Sequence, residues 1–143
     1  MINISRIGAP RELAMAHRIR YEVFVNEQHV PVGLELEFED QSNHYLAKFN
    51  NIPAGTARWR FTESGIKLER FAVSRKYRKM GIGSALLEFI LRDIHNHPEY
   101  NDKMIYLHSQ IDAMHLYSKF GFIKTGDIFD EAGIMHYNMI LGK

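Results

Sequence analysis

Cysteine is absent from the chain, which excludes disulfides, a thiol nucleophile, iron–sulfur clusters and every cysteine-containing zinc site. That absence fits a reducing compartment, and the cytoplasm is the expected location. Charge of one sign is not in excess either: 18 Lys and Arg against 17 Asp and Glu leave a net charge of +1. Global attraction to nucleic acid or to an anionic membrane is therefore not expected. Long apolar runs are missing too. Stretches such as Met104-Ile105-Tyr106-Leu107 are the longest, whereas a membrane helix needs about 20 residues. The opening Met1-Ile2-Asn3-Ile4-Ser5-Arg6 has no charged segment followed by a hydrophobic one, so no secretory signal is expected.

What is present suits one folded domain. The 143 residues are 45% hydrophobic, 24% charged and 12% aromatic, and a chain this long buries roughly 70% of the surface it exposes when unfolded. Leu13, Ala16, Ile19, Val23 and Phe24 recur at helical steps after Pro10, which predicts a helix over 11–27. Pro31 and Gly33 break the period, so 29–43 reads as loop, with a short helix allowed within it. Strands are expected at 44–49, 54–62 and 66–73, a helix at 81–95 and a buried strand at 104–109. A short helix at 111–120 and a last strand at 136–141 follow, with another strand allowed at 122–126. No repeat or linker interrupts this order. The class is α+β with one mixed sheet, a single domain over 1–143.

Between the third of those strands and the next helix lies Arg75-Lys76-Tyr77-Arg78-Lys79-Met80-Gly81-Ile82-Gly83-Ser84. Glycines at a helix start let backbone N–H groups approach an anion, and the helix dipole favours negative charge there. Read alone, Gly-x-Gly is by preference an ordinary tight turn with a solvated basic face. Two nucleotide motifs are excluded. A dinucleotide fingerprint wants a small residue where Leu86 stands, and a phosphate-loop NTPase needs Gly-Lys-Ser or Gly-Lys-Thr, which does not occur.

The run from Arg78 to Gly83 is similar to the R/Q-x-x-G-x-G/A signature of the GNAT acyl-CoA N-acyltransferase superfamily, with Lys79 where Gly is common. The stretch Arg20 to Pro31 resembles the R-x-x-V-F-V-x-E-Q-x-V-P segment of a small bacterial GNAT subfamily. Asp130-Glu131-Ala132-Gly133-Ile134-Met135-His136 resembles a later segment of the same subfamily, with Met135 replacing a common Pro. Glu35, Asp40 and His44 match its acidic loop, where Glu37 stands in place of a frequent Asp. The resemblance implies a central, mostly antiparallel mixed sheet flanked by helices, and acetyl-CoA as co-substrate without a metal. It implies that Phe71, Ala72 and Val73 line the pantetheine arm, and that Arg78, Lys79, Met80, Gly81, Ile82, Gly83 and Ser84 hold the phosphates.

Acetyl transfer to an amine needs a proton acceptor, a polarised thioester carbonyl and a proton for the leaving thiolate. Glu69 resembles the strand-four glutamate that serves many of these enzymes as base, and a partly dry cleft would raise its pKa. From its residues alone it reads first as an edge-facing partner of Arg70 or Arg58, and the resemblance turns the reading to the base. Tyr117 stands in a segment similar to the family's A-x-x-x-Y-x-K-x-G-F, which implies general acid; otherwise it is a core aromatic beside Phe120 and Phe122. The resemblance places Glu27, Gln28, His44, Arg58, His108, Gln110 and His136 around the acceptor, and each histidine reads equally as structural. His95 and His97 have no ligand spacing for a metal. The loop from Glu27 to Asp40 holds five acids and no Lys or Arg, either a lid attracting a cationic amine or a solvated face; Arg58 and Arg60 offer an anion clamp. The expectation is an acetyl-CoA-dependent N-acetyltransferase of a small amine, such as an amino sugar or polyamine. A non-catalytic acyl-CoA-binding module and a protein amine acceptor are the alternatives. No nucleic acid or membrane is expected as partner, and a homodimer is left open.

Overall fold

Alternating side chains along the strands build a sheet with an apolar layer on each face. The computed structural model describes residues 1–142. Its elements are β1 (Ile2–Ile7), α1 (Pro10–Arg20), a π-helical segment (Tyr21–Glu27), α2 (Val32–Glu35), β2 (Asn43–Phe49), β3 (Ile52–Thr62), β4 (Gly65–Val73), α3 (Ile82–His95), β5 (Ile105–Gln110), α4 (Met114–Ser118), β6 (Phe122–Glu131) and β7 (Ile134–Leu141). The strand order is β1-β2-β3-β4-β5-β7-β6, antiparallel throughout except for the parallel pair β4–β5. The expected α+β class with a mixed sheet is therefore present.

Two cores lie on opposite faces. Tyr45, Ala47, Trp59, Ile66, Leu68 and Leu107 point to the face covered by Leu86, Leu87, Ile90 and Ile94 of α3. Leu46 and Ala72 point the other way, against Ala16, Ile19, Val23 and Phe24. Trp59 satisfies its indole by donating to the Tyr45 hydroxyl at 2.8 Å, and that hydroxyl donates to Asp93.

Four boundaries differ from expectation, each for a local reason. Ile2 and Ile4 alternate with polar neighbours, and 2–7 pairs as an edge strand against β2. The helix over 11–27 continues, but its second half widens to π geometry, with Gln28 N–H donating to Val23 O at 3.2 Å. The segment 111–120 divides into a 3₁₀ turn (Ile111–Ala113) and α4. β6 runs on to Glu131, bent where its register with β7 shifts between Thr125 and Phe129.

Candidate active site

β4 and β5 pair only at Ile66–Ile105, Lys67–Tyr106 and Leu68–Leu107, then part. A bulge drives the parting. Between Arg58–Glu69 and Thr56–Ala72, β3 spends one residue, Ala57, where β4 spends two, Arg70 and Phe71. Arg70 takes the left-handed conformation (φ 59°), that of the first residue in a G1-type bulge. It keeps Glu69 on the α1 face while turning Phe71 toward Tyr117 on the α3 face, ring centroids 5.7 Å apart. The wedge so opened is a cleft of about 490 Å³, walled by 67–73 of β4 and 107–110 of β5 and closed by the π-helical segment and the β6–β7 turn. A groove of about 520 Å³ between α1 and the turn at 74–77 contains none of the predicted site residues. The wedge collects eleven of them, so it is the candidate site: Glu27, Gln28, Glu69, Phe71, Ala72, Val73, Arg78, His108, Gln110, Tyr117 and His136.

The basic turn sits at the mouth of this cleft. Gly81 (φ 83°) precedes the first turn of α3, which has no side-chain cap. The N–H groups of Ile82, Gly83 and Ser84 therefore have no partner within the helix. A Cβ on Gly81 would meet nothing within 4 Å, whereas one on Gly83 would come 3.3 Å from Leu116. Gly81 thus leaves open space, and Gly83 serves close helix packing. Ile82 departs from expectation: its side chain is buried in the α3 core, so only its backbone faces the turn. Arg78 is not free either. It donates to both carboxylate oxygens of Glu27, at 2.9 and 2.7 Å, and to Val73 O at 2.9 Å.

Glu69 does not have the raised pKa expected of it. Burial pushes its carboxyl up, but Arg58, Arg60 and Lys67 outweigh burial and hold it below the usual range. Arg58 Nε donates to its Oε1 at 3.1 Å, Arg60 Nε at 2.7 Å, and Lys67 Nζ lies 3.6 Å from Oε2. Arg58 itself is 1% exposed and lies behind Glu69, outside the cleft lining. His44 is also displaced from the expected acceptor side. It is buried on β2, with Nε2 3.0 Å from Glu39 O, and desolvation lowers its pKa. The acidic loop is largely neutralised rather than free to attract a cation. Glu35 and Glu39 turn inward to Arg20 and Glu39 also meets Arg58; of the loop's acids Glu27, held by Arg78, and Glu37 line the cleft.

On the opposite wall the structure brings together what β5, β6 and β7 carry. Gln28 and Gln110 bond side chain to side chain at 2.8 Å. His108 Nδ1 lies 2.9 Å from Glu131 Oε1, and His136 Nε2 lies 3.8 Å from Glu131 Oε2. Sequence reasoning missed Glu131 and Lys67 as lining residues, although Glu131 stood within a matched segment and Lys67 is two residues from Glu69 on a period-two strand. Tyr117 lies between Phe71 and Phe122, and burial alone pushes its phenol up. Among the described residues no group of three or more His, Asp or Glu is disposed to hold a metal ion, and no helix is long and apolar enough to cross a membrane.

Residues 8–143 match the Acetyltransferase (GNAT) domain family. The uncharacterized N-acetyltransferase YjcF of Bacillus subtilis (strain 168) is 31% identical over 131 residues, covering 90% of this chain and 91% of its own. Among solved structures, an acyl-CoA N-acyltransferase from Pseudomonas aeruginosa superposes with a TM-score of 0.86 at 22% identity, covering 99% of this chain and 100% of its own. A GNAT family acetyltransferase from Elizabethkingia anophelis with acetyl-CoA bound superposes with a TM-score of 0.69 at 22% identity, over 97% of this chain and 94% of its own.

Proposed function

The chain belongs to the GNAT acetyltransferase family and is an acyltransferase, and from that premise we propose that it acetylates the primary amine of a small molecule, such as an amino sugar or polyamine, by direct attack on acetyl-CoA. The observation that carries this reading is the wedge between β4 and β5, with Glu69 on one face of β4 and Phe71 against Tyr117 on the other. Beyond Leu68 the β4 edge facing β5 has no strand partner, which suits an extended amide-bearing arm that pairs with backbone. The unpartnered N–H groups opening α3, with Arg75, Lys76 and Lys79 nearby, suit its diphosphate. Arg78 joins them by exchanging Glu27 for phosphate.

In this mechanism the thioester lies across 71–73, and a backbone N–H there polarises its carbonyl. Glu69, ionised throughout the working range, anchors the ammonium and draws its proton off, directly or through water. The amine lone pair attacks the carbonyl carbon, the C–S bond breaks as the C–N bond is completed, and Tyr117 gives the departing sulfur a proton. A panel of amines assayed with acetyl-CoA for free-thiol release tests the reaction. Glu69→Gln is expected to lower turnover most at low pH, where the amine is protonated, with acetyl-CoA affinity nearly intact. Wild-type rates across the pH range would make Glu69 structural. Acetyl-CoA binding without acetylation of any amine would favour a non-catalytic binding module.

A further inference from the structure

A carboxyl held as low as that of Glu69 does not keep a proton it accepts, so the proton must pass to a better acceptor. Strand register supplies one. Lys67 stands opposite Tyr106 in the parallel pair, so two residues onward Glu69 and His108 face each other on the same side of the sheet, where the strands have parted. Both line the cleft.

Building on the proposed acetyl transfer, we propose that His108 is a catalytic residue, the proton acceptor for the attacking amine, and that Glu131 is its positioning residue. The Nδ1 atom of His108 is engaged by Glu131 at 2.9 Å, which leaves Nε2 for a proton from the cleft. Phe129, edge-on at 5.1 Å between ring centroids, and Tyr106 at 6.0 Å fix the plane of the imidazole. This is the logic of a histidine oriented by a carboxylate, which also stabilises the imidazolium once it forms. Glu131 suits that task. Its bond to His108 and the nearby charge of Lys67 hold its carboxyl at about 2 against the opposing effect of burial. The charged and titratable groups around the imidazole are Glu131 from β6, His136 from β7, and Lys67 and Glu69 from β4.

The protons then balance. Glu69 draws one proton from the anchored ammonium and passes it to His108 Nε2, which later releases it to solvent. The neutral amine forms the C–N bond as the C–S bond breaks, and its second proton reaches the thiolate through the Tyr117 hydroxyl, which donates and is reprotonated.

The test compares single-turnover acetyl transfer, calorimetric acetyl-CoA affinity and thermal melting in wild type, His108→Ala, His108→Gln, Glu131→Gln and Glu131→Asp. Removing the acceptor should cost about 10²–10⁴-fold in the chemical step, with acetyl-CoA affinity and melting unchanged and part of the rate restored by added imidazole. His108→Gln retains volume and a bond to Glu131, so it stands in if the alanine variant does not fold. Glu131→Gln should lose less, and Glu131→Asp should recover most of that loss. A folded His108 variant with an undiminished chemical step overturns this role alone. So does a loss that imidazole leaves untouched and that tracks a fall in melting temperature. If wild type binds acetyl-CoA yet acetylates no amine, the proposed reaction falls and this role falls with it.

Discussion

Tyr117 separates packing from chemistry within one side chain. Its ring is held edge-on by Phe71 and Phe122, while its hydroxyl makes no hydrogen bond among the described residues and its phenol is pushed up by burial alone. A phenol in that setting stays protonated and has a proton to give. Tyr117→Phe is therefore expected to lower the chemical step by about 10²–10⁴-fold while leaving stability nearly unchanged, since no internal bond is lost. Pre-steady-state acetyl transfer beside thermal melts of both proteins checks this. Normal transfer with a loss of about 1 kcal/mol would make the hydroxyl a structural group instead.

The start of α3 is where conformation and binding meet. Gly81 and Lys79 are both left-handed, at φ 83° and 66°, and only one of them is glycine. A side chain there costs about 1–2 kcal/mol, so Lys79 carries strain that a glycine would avoid. Lys79→Gly should stabilise the fold by up to about 1 kcal/mol after the added chain entropy is subtracted; denaturant unfolding that shows a loss would contradict this. Gly81→Val runs the other way. It strains the turn and fills the open space at the helix N-terminus, so acetyl-CoA affinity should drop. Calorimetric titration of a folded Gly81→Val variant with unchanged affinity would remove the phosphate role from this turn.

Across the whole molecule, one buried charge network joins α1, the acidic loop and the sheet. Arg20 and Arg58, each 1% exposed, converge on Glu39; Arg20 also holds Glu35, and Arg58 reaches on to Glu69. Burial pushes the Glu39 carboxyl up, but bonds from Arg20 and His17 prevail and hold it at about 2, below its ordinary 4.5. The folded state therefore binds that proton less readily than the unfolded one. Its stabilisation is complete above pH 4.5 and is lost as pH falls through about 2. Melting temperature should decline over that window, and less steeply in Glu39→Gln. At neutral pH that variant should lose about 1.5–3 kcal/mol, because Arg20 keeps Glu35 and Arg58 keeps Glu69; an unchanged melting curve would rule the network out as a stabilising feature. The sequence by itself determined the elements whose signals are local: helical spacing over 11–27 and 81–95, strand alternation around Trp59, and a glycine turn between strand and helix. It also brought Glu69, Tyr117 and His108 into consideration. Tertiary structure alone decided the electrostatics and the access. Charges as distant in the chain as Arg20 and Glu35, or His108 and Glu131, become partners only when strands and loops pack. Thus Glu69 proved low rather than raised, and Arg58 and His44 lay behind the cleft rather than in it. Residue spacing records which way a side chain faces along its own element; its partner, its water and its pKa depend on the element that comes to rest against it.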